Sequence, residues 1–469
     1  MKQPLYMQLY QTLKEQIIEG QYQSGDRFPS KRRLAEHHSL SNTTIEHAYQ
    51  FLLDEGYIYS KPRSGYYVSD IESLPIVTKD NPVADIKKEA PAASDIQFSF
   101  DLARIDTQHF PWQQFRKYSR DVFDESMPDI LQPGHQQGEY RLRQAIAHYL
   151  FNSRGVNCHP EQIIIGSSTE QLINQVTDIL TDRSYIIEYP SYPPIKQVLD
   201  KKELDYKQVP VTKSGINMKQ VFNSNRQVVY VTPSHQFPTG YVMNLKTRTQ
   251  LINWAQQHPE RFIIEDDYDS EFRYFSKPIP ALQSLDTTGK VIYISTFSKS
   301  LFPSCRIAFM VLPKALIQTY DALPDKEGNT VPAPMQCMVA QFMEKGSFER
   351  HLNKMRKVYR HKLTYIIDAL SPFKNQLLIE GATTGMHFTL TVKNGLDLDT
   401  ILKRAETHHV KLKPLVHYMK KENYDVHAPK FIVGFGGIPD DELEAHTRAL
   451  IKTLVRQGGN YACHSINPI

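Results

Sequence analysis

Cysteine is scarce. Cys158, Cys305, Cys337 and Cys463 are the only four in 469 residues, and no two stand at metal-ligand spacing. That excludes a disulfide framework, implies no metal, and fits a reducing cytoplasm, the location expected for the chain. Long apolar runs are missing too: no stretch of eighteen or more apolar residues occurs, so neither a transmembrane helix nor a membrane partner is expected. Met1-Lys2-Gln3-Pro4 leads straight into an amphipathic pattern rather than an apolar signal segment. Neither sign of charge dominates. The 55 Lys and Arg against 51 Asp and Glu leave +4, too little to announce a nucleic-acid partner from composition alone. What remains is an ordinary globular composition, 40% hydrophobic, in a chain long enough for two or three domains.

One stretch carries distinctive chemistry. Ser295-Thr296-Phe297-Ser298-Lys299-Ser300-Leu301-Phe302-Pro303-Ser304-Cys305-Arg306 follows the apolar run Val291 to Ile294. A lysine among hydroxyls, with an arginine in the loop beyond, suits an aldehyde that carries a phosphate. Lys299 can form the Schiff base while Thr296, Ser298 and Arg306 close on the phosphate. Upstream, Phe262-Ile263-Ile264 reads as a buried strand running into Glu265-Asp266-Asp267-Tyr268-Asp269. Acids just past the end of a parallel strand face the crevice where α/β sheets bind ligands. The pyridine nitrogen of pyridoxal 5'-phosphate needs a carboxylate to stay protonated, and its ring hydroxyl needs a hydrogen-bond donor. Asp266 and Tyr268 can supply one each.

Three more strand-to-turn units fit the same scheme. Gln162-Ile163-Ile164-Ile165 is a strand, and Gly166-Ser167-Ser168-Thr169 turns it into a helix whose N-terminus offers N–H groups and a favourable dipole to a phosphate. Tyr185 to Tyr189 leads to Tyr192, an aromatic able to cover a planar ring. Val228 to Thr232 runs into Pro233-Ser234-His235-Gln236-Phe237-Pro238-Thr239-Gly240. The order of these elements from Gly138 to Arg306 resembles the fold-type I, class I aminotransferases, and the resemblance extends from about residue 98 to the C-terminus. It implies an α/β fold binding pyridoxal phosphate, with a smaller C-terminal subdomain. Lys299 would be its Schiff-base lysine, Asp266 the partner of the ring nitrogen and Tyr268 the donor to the ring oxygen. Tyr192 would stack on the ring, and Ser168, Thr169, Thr296, Ser298 and Arg306 would hold the phosphate.

The first 70 residues read differently. Leu5, Leu9, Leu13 and Ile17 form one stripe of an amphipathic helix, with Tyr6, Tyr10 and Ile18 beside it. Ser30 and Ser41 are placed to cap two further helices, with Leu34 and Ala35 inward on the first and Ile45, Ala48, Tyr49, Leu52 and Leu53 on the second. Tyr57-Ile58-Tyr59 and Tyr66-Tyr67-Val68 form a hairpin around Lys61-Pro62-Arg63-Ser64-Gly65. Three helices and a hairpin make an α+β winged helix-turn-helix. The run Gly25-Asp26-Arg27-Phe28-Pro29-Ser30-Lys31-Arg32-Arg33-Leu34-Ala35 is similar to the start of the GntR DNA-binding domain. Helix three offers Asn42, Thr43, Thr44 and His47 to a major groove. Lys31, Arg32, Arg33, Lys61 and Arg63, with the wing residues Ser64 and Gly65, lie where phosphates would run. Where GntR relatives often carry arginines in the recognition helix, this chain has Asn42 and Glu46.

Between residues 71 and 97 the composition turns to Pro, Ala, Lys and Asp without periodicity, which reads as a linker of roughly 30 Å mean span. The expected organisation is a DNA-binding domain at 1–70, this linker, and a cofactor-binding, effector and dimerisation domain at 98–469. A GntR-type head on an aminotransferase-like body resembles the MocR subfamily of bacterial regulators. It implies double-stranded promoter DNA, a head-to-tail homodimer and a small effector (pyridoxal phosphate, a vitamer or an amino compound) as partners. The carboxylate clamp of the aminotransferases, however, is replaced. Ile432 stands at the arginine position with Lys430 two residues earlier as a possible point charge, and Phe237 replaces an asparagine. Pro133 stands near an interface tyrosine position, and Pro194 where some regulators carry an effector arginine. Three readings remain: a pyridoxal-phosphate-responsive regulator, a working aminotransferase with a DNA-binding head, or a DNA-binding protein whose body only dimerises.

Overall fold

Leu9, Leu13 and Ile17 recur at four-residue spacing, and in the computed structural model they line the buried face of α1 (Leu5–Ile18). The structure describes residues 4–70, 96–275, 280–324, 329–419, 425 and 427–456. Most of the linker expected at 71–97, and Cys463, lie outside these residues. The chain divides into two compact units, 1–94 and 95–469.

In the first unit α1 packs on α3 (Asn42–Asp54), with α2 (Lys31–His38) alongside. Ser30 accepts a hydrogen bond from the Arg33 N–H, and Ser41 from that of Thr44, so both capping expectations hold. β1 (Ile58–Lys61) and β2 (Gly65–Val68) pair antiparallel, Ile58 opposite Val68. Their buried ends close a core with Leu13, Phe28, Ile45, Tyr49 and Leu52. This is a winged helix-turn-helix. One expected core residue is displaced: Leu5 is 59% exposed because it begins its helix, with no preceding turn to pack over it. Ile18, at the other end, is exposed as well, and Leu53 is only half-buried.

The second unit begins with β3 (Phe98–Ser99), α4 (Trp112–Val122) and α5 (Tyr140–Arg154). Strands and helices then alternate: β4 (Ile163–Gly166), α6 (Thr169–Ile179), β5 (Tyr185–Tyr189), α7 (Pro193–Lys201), β6 (Tyr206–Thr212), β7 (Gly215–Ile216), α8 (Met218–Phe222), β8 (Val228–Val231), α9 (Leu245–Gln256), β9 (Phe262–Asp266), β10 (Val291–Thr296), α10 (Phe297–Ser300), β11 (Ala308–Val311) and α11 (Lys314–Asp321). The sheet order is β4-β11-β10-β9-β8-β5-β6-β7, parallel from β10 to β6, with β11 antiparallel to both neighbours and β7 antiparallel at the other edge. Apolar runs such as Ile163-Ile164-Ile165 are buried on both faces, as a helix-covered sheet requires.

Helices α12 (Ala333–Glu344) and α13 (Ser347–Leu370) lead to the smaller subdomain. There β12 (Leu377–Glu380), β13 (His387–Val392), α14 (Leu398–Thr407), β14 (Val410–Lys411), β15 (Lys413–Pro414), β16 (Lys430–Gly434) and α15 (Leu443–Leu454) follow. Its main sheet runs β12-β13-β16-β15. The stripe Phe348, Leu352, Met355, Tyr359 and Leu363 of α13 is buried, as its helical spacing predicts. β3 pairs in parallel with β14, so the first strand of this unit belongs to the small subdomain. A buried ion pair fastens the same region: Lys362 Nζ lies 2.5 Å from Asp106 Oδ2 and donates to the Ile438 carbonyl.

The unequal exposure of the α1 stripe sets a test. Leu13→Ala, at 1% exposure, is expected to cost about 2–5 kcal/mol. Leu5→Ala should stay within about 0.5 kcal/mol. Urea midpoints of the full chain measure both; equal shifts would show that Leu5 is a core residue after all.

Candidate functional site

Register brings the separate motifs to one edge of the large sheet. Ala308 faces Gly166 on one side and Thr296 on the other, and Ile294 faces Asp266. The C-terminal ends of β4, β10 and β9 and the start of β11 therefore lie in a row, the edge where open α/β sheets bind ligands. Ser168 caps α6, so its hydroxyl is held by the Gln171 N–H while the free N–H groups of the first turn stay available to an anion. Thr169 is buried beside it. Thr296 caps α10 and lies 3.0 Å from the Ser298 hydroxyl. Arg306 sits in the left-handed region, φ 50°, with an exposed side chain. Tyr192 immediately precedes α7, close enough to Asp266 and Arg306 for both to act on its ionisation. Burial pushes its phenol up to about 12.

Lys299 lies on the short turn α10, half-buried, with its ammonium donating to the Leu102 carbonyl. Desolvation lowers its pKa, opposed by Asp269 and Asp101, which raises the fraction of free amine available to attack an aldehyde. The neighbouring acids have separate surroundings. Glu265 accepts from the Leu282 and Gln283 N–H groups. Asp267 is paired with buried Arg154 at 2.8 Å and receives the Tyr293 hydroxyl at 2.6 Å. Asp266 has no cation partner among the described residues. One oxygen accepts from Tyr230 at 2.5 Å, and the other, Oδ1, is buried without a partner. Burial pushes its carboxyl up to about 7. An orphaned, desolvated carboxylate oxygen at a strand end fits the protonated ring nitrogen of pyridoxal phosphate, as the α6 N-terminus fits its phosphate.

Tyr268 is tied to residues the sequence reading did not assign. Its hydroxyl lies 3.1 Å from His235 Nδ1, and Asp269 lies 2.9 Å from the same nitrogen. The His387 ring packs on His235 at 4.3 Å. Gly385 makes room for this set: it has φ 74°, and a Cβ there would fall 2.0 Å from His235 Nδ1. Tyr230 was findable, since a tyrosine inside Val228–Val231 must place its hydroxyl on a buried partner.

The substrate side differs from a carboxylate clamp. Ile432 is fully buried in β16. Lys430, expected as a possible point charge, is already paired with Glu380 at 3.0 Å, and Lys213 reaches the other Glu380 oxygen at 2.7 Å. Burial would raise that carboxyl, but the two lysines bring it down to about 2. Pro194 stands in the first turn of α7 and Pro133 is exposed. Phe237 makes edge-on contacts with Tyr192, Tyr268, His387 and Tyr418, an apolar hub where an asparagine was absent.

On the first unit, Asn42, Thr43 and His47 are exposed along α3; Thr44 is half-buried, its hydroxyl 2.8 Å from that of Ser41. Arg32 is exposed and pairs with Glu36, while Lys31 lies 3.4 Å from Glu46 and over the Tyr66 ring. At the hairpin tip Lys61 lies over Tyr67, Arg63 is left-handed at φ 61°, the Ser64 hydroxyl meets that of Tyr67, and Gly65 is exposed at φ 111°. Arg27, quoted in the sequence motif but not assigned a contact, is exposed and bridges to Tyr67 beside Gly65.

Comparison with known proteins agrees at both ends. Residues 5–68 match the bacterial regulatory proteins of the gntR family, and residues 98–400 match aminotransferase class I and II. The chain is 36% identical over 451 residues to the uncharacterised HTH-type transcriptional regulator YdeL of Bacillus subtilis, covering 95% of this chain and 96% of the relative. It is 30% identical to the probable rhizopine catabolism regulatory protein MocR of Rhizobium meliloti, covering 93% and 90%. With the pyridoxine biosynthesis transcriptional regulator PdxR of Corynebacterium glutamicum it shares 28% identity, covering 93% of each. A multiple substrate aminotransferase from Thermococcus profundus superposes with TM-score 0.68 at 21% identity, covering 77% and 91%, a likeness of fold alone. No described helix is long and apolar enough to cross a membrane.

The isolated acid at the strand end sets a pH test. With its pKa raised from 3.8 to about 7, Asp266 binds its proton more tightly folded than unfolded. Its contribution is therefore full below about pH 4 and is lost as pH rises through 7, at up to about 1.4 kcal/mol per pH unit. Burial raises Glu188, Glu265 and Glu271 to about 7 as well, so Asp266→Asn, which imitates the protonated acid, should make that decline shallower without abolishing it in cofactor-free protein unfolded by urea at stepped pH. An unchanged slope would place the titration elsewhere.

Proposed function

The chain belongs to the MocR-type branch of the GntR regulators, with a winged helix-turn-helix fused to a class I and II aminotransferase body, and from that membership we propose a transcription regulator that senses pyridoxal phosphate. In this reading the first unit binds promoter DNA in a cytoplasmic homodimer, and the sheet-edge crevice of the second holds the cofactor. The observation that carries it is the pairing of a kept cofactor site with a lost substrate clamp. Asp266 offers an unpartnered buried oxygen, whereas Ile432 and the engaged Lys430 offer no free cation to a carboxylate.

Lys299 is the covalent anchor, Asp266 holds the ring nitrogen, and Tyr268, set by His235, donates to the ring oxygen. Tyr192 covers the ring, and Ser168, Thr169, Thr296, Ser298 and Arg306 hold the phosphate. When bound, the cofactor supplies an aldehyde and an electron-withdrawing ring. Lys299 then separates the aldehyde form from the alcohol and amine vitamers, because only the aldehyde can be captured covalently. A ligand shifts a regulator through unequal affinity for its two conformations, and closure of the small subdomain is the pair we assign. The likeness to PdxR supports vitamin B6 metabolism as the controlled process. A residual transamination half-reaction with an amino compound is compatible with the same site. Exposed apolar side chains such as Leu131 and Phe151 are the kind a second copy would cover.

On the DNA side, Lys31, Arg32, Arg33, Lys61 and Arg63, and Arg27 with them, serve phosphates, while Asn42, Thr43, Thr44 and His47 read bases. Ser64 and Gly65 shape the wing that carries Arg63. Glu46 fits the amino group of a cytosine once Lys31 is drawn to phosphate.

Two measurements test this reading. Borohydride reduction of holo-protein should leave the cofactor attached to Lys299, and should leave no covalent adduct in Lys299→Ala; attachment to another lysine overturns the site. For the DNA unit, Arg32→Ala or Arg63→Ala should weaken binding alike across sequences and lower the salt slope by about 1, whereas Asn42→Ala or His47→Ala should change base preference. Full operator affinity in the isolated second unit would rule the assignment out.

A further inference from the structure

A second cleft, of about 540 Å³, opens between the start of α4 and the first turns of α13. Its apolar walls are Phe110, Trp112 and Phe342, and its polar wall is Arg350, His351 and Lys354. Residues 350 and 354 are one turn apart, so both cations lie on one face of the helix. Among the described residues, no carboxylate lines the cleft. Arg350 spends one nitrogen on the Lys345 carbonyl and the Ser347 hydroxyl, and makes no ion pair among the described residues. The Lys354 ammonium makes no hydrogen bond or ion pair among the described residues.

One buried polar group of the cleft is informative. His351 is 7% exposed, and its Nδ1 is buried with no partner among the described residues. The side chain is hydrogen-bonded to the backbone of Ser300, next to Lys299, and burial pulls its pKa down to about 4. A neutral ring that donates through one nitrogen keeps the other as an acceptor, so Nδ1 calls for a ligand O–H or N–H. Phe110 packs edge-on against Phe302, in the segment after Lys299, at 5.2 Å. Buried polar atoms rarely go unsatisfied, and a pocket of this volume with aromatic walls and convergent polar groups has the features of a small-molecule site.

We propose that this cleft binds a small aromatic acid carrying a hydroxyl or N–H group, with its ring between Phe110 and Trp112, its anion on Arg350 and Lys354, and its donor on His351 Nδ1. Its lining shares no residue with those assigned to the strand-end crevice, so the proposal does not depend on the cofactor reading.

The chain has two tryptophans, and Trp254 is fully buried while Trp112 is 62% exposed, so fluorescence reports the cleft directly. Full-length protein titrated with 4-hydroxyphenylacetate should show a saturable emission change, lost in Trp112→Phe although calorimetry still detects binding. Arg350→Gln with Lys354→Gln, both exposed positions, should weaken binding at least tenfold, as should the uncharged amide of the probe. Phenylacetate, lacking the donor, should bind more weakly than the hydroxylated acid. No saturable change overturns the proposal, and so does equal affinity in the double variant. Emission that iodide cannot quench would show Trp112 covered by a second copy, and would overturn it too.

Discussion

Six acids, Glu188, Glu265, Asp266, Asp267, Asp269 and Glu271, are buried around the end of β9, and the site depends on how each is compensated. Carboxylates out of water must be paired, hydrogen-bonded or protonated. Asp267 takes the strongest pairing, with Arg154 from the end of α5. Arg154 also donates to Ser234, and the Asp267 carbonyl receives the Ser295 hydroxyl, so one ion pair ties α5, β9, β10 and the loop after β8 together. Breaking such a pair by removing one partner costs about 3–5 kcal/mol. With Asp267 fixed this way and Glu265 spent on backbone N–H groups, Asp266 is left facing the crevice without a cation. A cation of the right shape is what that position lacks.

Much of this was legible because parallel strands confine chemistry to their C-terminal ends. Buried runs such as Ile163-Ile164-Ile165 and Phe262-Ile263-Ile264 located the strands, and the residues just after them fell on one edge. Capping was legible for the same local reason: Ser30 and Ser41 each precede a helix and accept from its third residue, and Ser168, read only as a phosphate ligand, does so too. Long-range partners were not. His235 and His387 are 152 positions apart, and nothing local marks them as neighbours. Lys430 looked free in the sequence because its acid, Glu380, lies in another strand of the same sheet. Leu5 matched the stripe by spacing, but periodicity cannot register that a helix end has nothing above it.

Phe237 shows how a body of this fold departs from a catalytic one. An asparagine there would bring an amide; a phenyl ring gathers Tyr192, Tyr268, His387 and Tyr418 into an aromatic cluster. The floor is stiffened by apolar contact and loses a polar donor. In the small subdomain, Glu380 engages Lys430 and also receives Lys213, and Ile432 is fully packed.

The pairing of β3 with β14 fixes where the second unit is held by its leading end. Phe98 and Ser99 are stitched to Val410 and Lys411, and three residues on, the Leu102 carbonyl touches the Lys299 ammonium. The mooring point of the preceding chain is therefore a piece of the small subdomain. Any swing of that subdomain carries residue 98 along with it, like a rope made fast to a door and not to its frame, and the first thing it passes is the lysine.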